Sequence, residues 1–469
     1  MTHWHFIGIG GAGMNVLAHA LLDRGDRVSG SDVGDSAALA ALRARGASVR
    51  VGHAADNPDL AVADQVVLTG AVPESNPELA AARAAGTPVV KRAVVLGQLM
   101  DERTGVAVAG THGKTTTTAM IAWILREADR DPAFLVGGVI SDLGTGGHWG
   151  GGPELVAEAD EYDRSFWELR PQVAVVTNLE ADHLDYYGDL TAIRAAFHRF
   201  AGNVRPGGTL LFCGDDHGAR QLHDRLAHAW AGAAGEDRWV QLYGSTPDCL
   251  WQAHSVQPNA AGGSDFVVVL DGRHITTVHL LLPGAHNVLN ALAAMGAAGA
   301  VGVGPLDAAA ALGRFHGTGR RFQRKGTVGG VLVVDDYAHH PTEIAVTLAA
   351  ARRHLPDRRL VVVFQPHTYT RTRDFLDAFA AVLATADVAI IPEIYASRET
   401  DTLGLSSRQL VDRINAIAPG KGHYAPDLAA ATEIVGGLLH DGDVLLTMGA
   451  GDVWKVGEAV LQTGIGAAV

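Results

Sequence analysis

Lys114 stands directly behind the turn Gly110-Thr111-His112-Gly113 and ahead of four threonines, Thr115 to Thr118. An ammonium behind a glycine-bracketed turn, with hydroxyls beside it, suits a nucleoside triphosphate. Backbone N–H groups of the turn and of the helix after it face the phosphates, Lys114 adds a cation, and the Thr115 hydroxyl can ligate magnesium. The apolar run Val106 to Ala109 reads as the strand such a loop follows, and Ala119 to Leu125 as the helix it opens. The strict G-x-x-x-x-G-K-[ST] spacing is not met, because Val108 occupies the first glycine position.

A second glycine set lies at the N-terminus, where Gly8, Gly10 and Gly13 form G-x-G-x-x-G between a short apolar strand and a helical run from Val16 to Leu22. Asp32, in Gly30-Ser31-Asp32 after a second strand, stands where an acid meets a ribose hydroxyl in a dinucleotide fold. Alone, this set favours NAD and a dehydrogenase. Together with Lys114 it gives two phosphate cradles, so an enzyme joining two nucleotide-linked chemistries stands beside that reading.

The acids Glu158-Ala-Asp-Glu-Tyr-Asp163 follow the apolar run Leu155 to Ala157, at the strand end where α/β sheets bind ligands. They suit a hard cation such as magnesium or a solvated acidic loop. Asn178 to Asp185 follow the strand Val173 to Thr177 and place His183 among acids, as a ligand or as a structural histidine. Asn287 is a natural N-cap for the helix it opens, and Asn290, one turn on, has an amide fit to read a base edge. Arg320 and Arg321 suit a phosphate clamp or a solvated hinge. Asp335 to Glu343 and Gln365 to Arg373 each follow a strand and collect His, Arg and acid on one sheet edge.

These residues need a scaffold of alternating strands and helices, and the chain supplies one. From residue 1 to about 100, short apolar strands such as Gln65 to Leu68 alternate with Ala-rich helices such as Ala37 to Arg45 and Pro77 to Ala85. The expected fold is α/β with three domains: a Rossmann-like N-terminal domain at 1–101, a central P-loop domain at 102–316 and a C-terminal Rossmann-like domain at 317–469. A chain of 469 residues fits three units of roughly 150 residues each. Gly144 to Gly152 reads as a mobile loop, and Gly313, Gly317 and Gly319 as a hinge. A net charge of −14 with 37 Lys plus Arg excludes a nucleic-acid surface. Cys213 and Cys249, without a C-x-x-C, exclude a disulfide framework or thiolate zinc site. No basic leader or membrane-length apolar run is read, so a cytoplasmic enzyme is expected.

The ordered set G-I-G-G-A-G-M, G-S-D, G-T-H-G-K-T-T, E-A-D-E, N-x-E-x-D-H-L-D, P-G-x-H-N-x-x-N-A, R-R-F-Q, D-D-Y-x-H-H-P-T-E, F-Q-P-H-x-Y-x-R-T and M-G-A-G-D resembles the Mur ligases of peptidoglycan synthesis over nearly the whole chain. Within that family it resembles the alanine-adding branch. The resemblance implies ATP-dependent, magnesium-assisted joining of L-alanine to UDP-N-acetylmuramate in cell-wall biogenesis, by a monomer or weak homodimer. It implies that Gly10, Gly11, Ala12 and Gly13 approach the UDP diphosphate, with Ser31, Asp32, His53, Ala71 and His339 also on substrate. It places Asp32 on the ribose and His53 on the uracil. Gly110, Thr111, His112, Gly113, Lys114, Thr115 and Thr116 would hold ATP, with Asn287, Asn290, Arg321 and Asp336. Thr115 would hold magnesium beside the ATP phosphates, Glu158 and His183 would hold a second magnesium, and His367 and Arg371 would act with Lys114, Glu158 and His183 in catalysis. Thr368 departs from the family's Q-P-H-R-Y, so the cation lost there is either absent or supplied by Arg371 or Arg373. Arg164 is similar to a variant in the tripeptide-recycling branch, the murein peptide ligases, which is the alternative.

Overall fold

The computed structural model describes residues 1–231, 237–397 and 399–463. Three sheets organise them. The first has the parallel order Ser48–Val51, Arg27–Asp32, His3–Ile7, Gln65–Leu68, Val89–Lys91. The strand order reverses beside His3–Ile7, so the glycine turn after that strand opens at the crevice where doubly wound sheets bind ligands.

In the ten-stranded second sheet, Thr104–Ala109 lies between Val173–Val176 and Glu154–Glu158, parallel to both. Val108 pairs with Glu158 and Ala109 with Val176. This register delivers the two acid-rich segments to either side of the Lys114 turn. Beyond Trp239–Gly244 the sheet continues through Trp251–Pro258, Ser264–Leu270 and Arg273–Leu280, an extension that the alternating pattern did not announce.

The third sheet runs Gln323–Val328, Val331–Asp336, Val444–Met448, Leu360–Phe364, Val388–Pro392, Gly422–Ala425, antiparallel only at its first pair. Its four inner strands are largely apolar on both faces, whereas the outer strands Gln323–Val328 and Gly422–Ala425 are mixed and partly exposed. Leu360, Val362 and Phe364 pack with Ile344, Leu348 and Phe379, whereas Val361 and Val363 pack with Val435, Val456 and Val460. A strand buried on both sides reads as a continuous apolar run, as these do.

The chain forms two compact units: residues 1–256, 265–280 and 287–316, and residues 257–264, 281–286 and 317–469. The N-terminal and second sheets therefore share a unit. The segment expected as a mobile loop at 144–152 instead contributes the strand Thr145–His148, and its glycines bring it against helix Ala12–Asp23: a Cβ at Gly147 would strike the Val16 carbonyl. The Trp149 ring there has the Arg24 guanidinium at 5.3 Å and the Arg103 guanidinium at 4.2 Å, while His148 Nδ1 lies 3.1 Å from Asp23. High glycine content reports close backbone approach at this place.

Candidate active site

The first glycine turn is held by backbone. Gly8, at φ +81°, and Ile9 donate to the Ser31 carbonyl at 2.8 and 3.0 Å. Helix Ala12–Asp23 begins after Gly11 with no side-chain cap, leaving its first N–H groups, including those of Ala12 and Gly13, for an anion. Gly10 has no room for a side chain, since a Cβ would lie 2.7 Å from Leu39 Cδ1 and 2.9 Å from Asp32 Oδ2. Asp32, expected on a ribose, accepts from Gly10 N at 2.7 Å and Val33 N at 2.8 Å, so it also locks the turn.

Arg92 was not foreseen. Its guanidinium lies about where a Gly13 side chain would begin, 3.1 Å from that position, giving this lysine-free turn a cation from another element. Arg92 also stands 3.8 Å from Asp160, and Lys91 bonds Asp163 at 3.1 Å. These ion pairs join the first cradle to the acid segment of the second sheet. Ser31 faces inward and is fully buried, bonded to His53 Nδ1 at 2.8 Å. Ala71 is exposed in the turn after Gln65–Leu68.

Around Lys114, Gly110 and Gly113 adopt φ +138° and +81°, the left-handed region that favours glycine. A Gly113 Cβ would stand 2.7 Å from Asn290 Oδ1, so the loop and helix Ala285–Ala300 are in direct apposition. That helix starts before Asn287, which is therefore a helical residue and not the N-cap; it accepts from Asn290 Nδ2 at 3.2 Å. The strand-end segment fixes the loop: His112 N donates to Asn178 Oδ1 at 2.7 Å, and Glu180 N to Thr111 Oγ1 at 3.0 Å. Thr115 and Thr116 are buried at the helix start, beyond an N-cap without a side-chain bond.

The Lys114 ammonium donates to the Gly110 carbonyl at 2.6 Å, the Thr111 carbonyl at 3.1 Å and Glu161 at 3.0 Å. Burial would discharge it, but Glu161 and Asp160 beside it hold its pKa above the ordinary lysine value. Glu161, the third acid of E-A-D-E, is thus the partner of Lys114, a role its place in the motif does not announce. His183 Nε2 lies 3.9 Å from Glu161 and 3.8 Å from Asp182, in a left-handed backbone conformation at φ +51°. Glu158 accepts from Gly137 N, and a Cβ at Gly137 would lie 2.9 Å from that carboxylate. Glu158, Asp160 and Glu161 all act electrostatically on Lys114. The carboxylates and the Thr115 hydroxyl are hard oxygen donors of the kind magnesium takes, with the His183 imidazole beside Glu161.

The second unit gathers its own set. Arg320 and Arg321 both lie 5.1 Å from the Tyr337 ring, Arg320 bonds Asp335 at 2.9 Å, and Arg321 is 3.7 Å from Glu343. Asp336 is buried and accepts from Phe322 N at 2.7 Å and Ala338 N at 2.8 Å; burial pushes its carboxyl up to about 6. His339 and His367 meet edge to face at 6.0 Å, His367 stacks on Tyr395, and Arg371 Nη1 lies 3.4 Å from His367 Nδ1. Thr368, at φ +68°, caps helix Tyr369–Asp374. Arg373 is turned to Asp374 at 2.8 Å, which leaves Arg371 as the cation beside His367.

Residues 3–104 match the Mur ligase family, catalytic domain; residues 108–298 match the Mur ligase middle domain; residues 320–451 match the Mur ligase, glutamate ligase domain. A UDP-N-acetylmuramate–L-alanine ligase of Solidesulfovibrio magneticus is 43% identical over 463 residues, 99% of this chain and 98% of that protein. One of the same name from Acidothermus cellulolyticus is 46% identical over 448 residues, 95% and 91% of the two chains. The crystal structure of the UDP-N-acetylmuramate–alanine ligase of Thermotoga maritima matches with a TM-score of 0.82 at 29% identity, covering 98% of this chain and 99% of that one. A murein peptide ligase of Psychrobacter arcticus matches with a TM-score of 0.73 at 27% identity, covering 98% of both.

Proposed function

The chain belongs to the Mur ligase family, and on that premise we propose that it joins L-alanine to UDP-N-acetylmuramate with cleavage of ATP. The observation that carries the chemistry is the ion pair of the partly buried Lys114 with the buried Glu161, at a glycine turn flanked by two acid-bearing strand ends. A carboxylate is a poor acyl donor. Its oxygen attacks the γ-phosphorus, the bond to the β-phosphate oxygen breaks, and ADP leaves; the amine of L-alanine then attacks the acyl phosphate and inorganic phosphate departs. Lys114 turns from Glu161 to the transferring phosphoryl group, and the N–H groups of the Gly110–Thr116 turn orient the phosphates, so positioning and electrostatics supply the rate.

In this reading Thr115, Glu158 and His183 hold magnesium, which when bound neutralises charge on the phosphates. Gly10 to Gly13, with Arg92, take the diphosphate of the UDP-sugar. Asn287 and Asn290 meet the adenine side. Arg321, Asp336, His339, His367 and Arg371 serve the same reaction from the second unit. In the same reading the domains divide at 101 and 316, and the enzyme works in the cytoplasm as a monomer or weak dimer. No helix among the described residues is long and apolar enough to cross a membrane.

The test is phosphate release from ATP with UDP-N-acetylmuramate, comparing L-alanine with the alanyl-glutamyl-diaminopimelate tripeptide. Release with L-alanine alone is expected. Turnover with the tripeptide and none with L-alanine would make the chain a recycling ligase.

A further inference from the structure

Beneath the first sheet's ligand edge runs a chain of buried polar groups which, apart from Ser31 and His53, the proposed reaction leaves without a role. His3 Nε2 and His5 Nδ1 share the Ser29 hydroxyl at 2.8 and 2.9 Å. His5 Nε2 lies 3.6 Å from Glu78 Oε2. Asn57 Nδ2 donates to Glu78 Oε1 at 2.7 Å, and the Ser31 hydroxyl donates to Glu78 Oε2. Ser31 Oγ then meets His53 Nδ1 at 2.8 Å, and only here does the chain reach a partly exposed group, His53 at 19%. His5, Ser29, Ser31 and Glu78 have no exposed surface.

Burial alone would raise the Glu78 carboxyl, but the approach of His5 and the bonds from Asn57 and Ser31 bring it down to about 2. Glu78 is therefore an anion, and an ionised carboxylate only accepts hydrogen bonds. That fact orders the rest of the chain. The single Ser31 proton goes to Glu78, so Ser31 Oγ accepts from His53, and in neutral His53 the proton sits on Nδ1. Nε2 is left with a bare lone pair.

We propose that Glu78 is a positioning residue which, through Ser31, fixes His53 in the Nδ1–H tautomer and thereby makes this site select a uracil over a cytosine base. The inference rests on the proposed UDP-sugar function and on what the resemblance to the Mur ligases implies, that His53 meets the uracil. Uracil offers N3–H, a donor, to the bare Nε2; cytosine offers N3 as an acceptor, and two lone pairs would face each other. Leaving such a pair unmatched is worth about tenfold in affinity. The placement also explains why Ser31 is buried: its contact with the ligand is made through His53.

The test is titration calorimetry of the full chain with UDP and with CDP, for the wild type and for Glu78→Gln, Ser31→Ala and His53→Ala. The wild type is expected to favour UDP. Ser31→Ala and Glu78→Gln are expected to lower the ratio of CDP to UDP dissociation constants by about tenfold while ADP binding stays unchanged. A folded Ser31→Ala protein with an unaltered ratio would overturn the relay, because a purely structural network would move stability and not base preference. Undiminished UDP affinity in His53→Ala would instead overturn the reading that His53 meets the base. If Glu78→Gln fails to fold, the tautomer is read directly in the wild type. In 15N spectra of histidine-labelled protein, with the His53 signal assigned by its loss in His53→Ala, a protonated Nδ1 is expected, and a protonated Nε2 would refute the proposal.

Discussion

The two glycine turns present helix N-terminal amides to an anion but obtain their cations in opposite ways. The turn at Gly8 to Gly13 contains no basic residue, is laced shut by the Asp32 carboxylate, and draws on Arg92 from a different strand end. The turn at Gly110 to Lys114 has its own ammonium, already engaged by two carbonyls and a buried carboxylate. A cradle that only holds a diphosphate is served by a cation at its rim. One that stabilises a migrating phosphoryl group needs a cation inside, kept ionised by a neighbour until the phosphate replaces that neighbour.

The sharpest way to break this contrast is Lys114→Ala. Turnover is expected to fall by about 10³-fold or more, with UDP affinity at the first turn within about twofold of wild type. Loss of UDP affinity alongside activity, seen by calorimetry, would mean that the turns do not divide the labour. Glu161→Gln comes next. Glu161 is 4% exposed, so removing its charge strands a buried ammonium and is expected to cost about 3 kcal/mol in denaturant unfolding. A nucleotide analogue with magnesium should recover much of the loss; an unchanged midpoint without ligand would show that the pair is idle.

Gly10→Ala probes the other cradle. The added methyl meets Leu39 and Asp32, and the KM for the UDP-sugar is expected to rise about tenfold with kcat nearly kept. A fall in kcat at constant KM would contradict a purely holding role. The smallest effect is on acid stability. Glu78 has a folded pKa of about 2, below its ordinary 4.5, so its contribution is complete above pH 4.5 and lost as pH falls from there toward 2. By pH 4 the loss is about 0.8 kcal/mol, and the stability gap between wild type and Glu78→Gln should narrow by that amount between pH 7 and 4. A gap that widens on acidification would mean that Glu78 is buried neutral.

Both turns were legible because glycine and lysine bear their function in local sequence: Gly8 and Gly113 need positive φ, and Gly10 needs an absent side chain. The third sheet's inner strands, such as Leu360–Phe364 and Val444–Met448, could likewise be read from their apolar runs, but the polar outer strands Gln323–Val328 and Gly422–Ala425 could not. Arg92, Glu161 and Glu78 were not legible. Each acquires its role from a partner far along the chain, brought near by strand pairing: Glu161 reaches Lys114 because Glu154–Glu158 lies beside Thr104–Ala109, and Glu78 reaches Ser31 across the first sheet. Segment 144–152 misled for a different reason. Glycine is used there for closeness between backbones, which in sequence looks the same as glycine used for freedom.

That closeness fixes what substitution can do to the segment. A Cβ at Gly146, Gly147, Gly150 or Gly152 would strike a backbone carbonyl, of Gly138, Val16, Asp131 or Arg130 respectively, and a carbonyl cannot rotate aside as a side chain can. In a saturation-mutagenesis map these four positions should tolerate almost nothing and score as severely as Lys114, although no side chain there takes part in the chemistry. Surviving variants would be recovered by second changes in the opposing backbone, and the suppressors of Gly147 variants, falling in helix Ala12–Asp23, would trace the seam between the first two sheets by genetics alone.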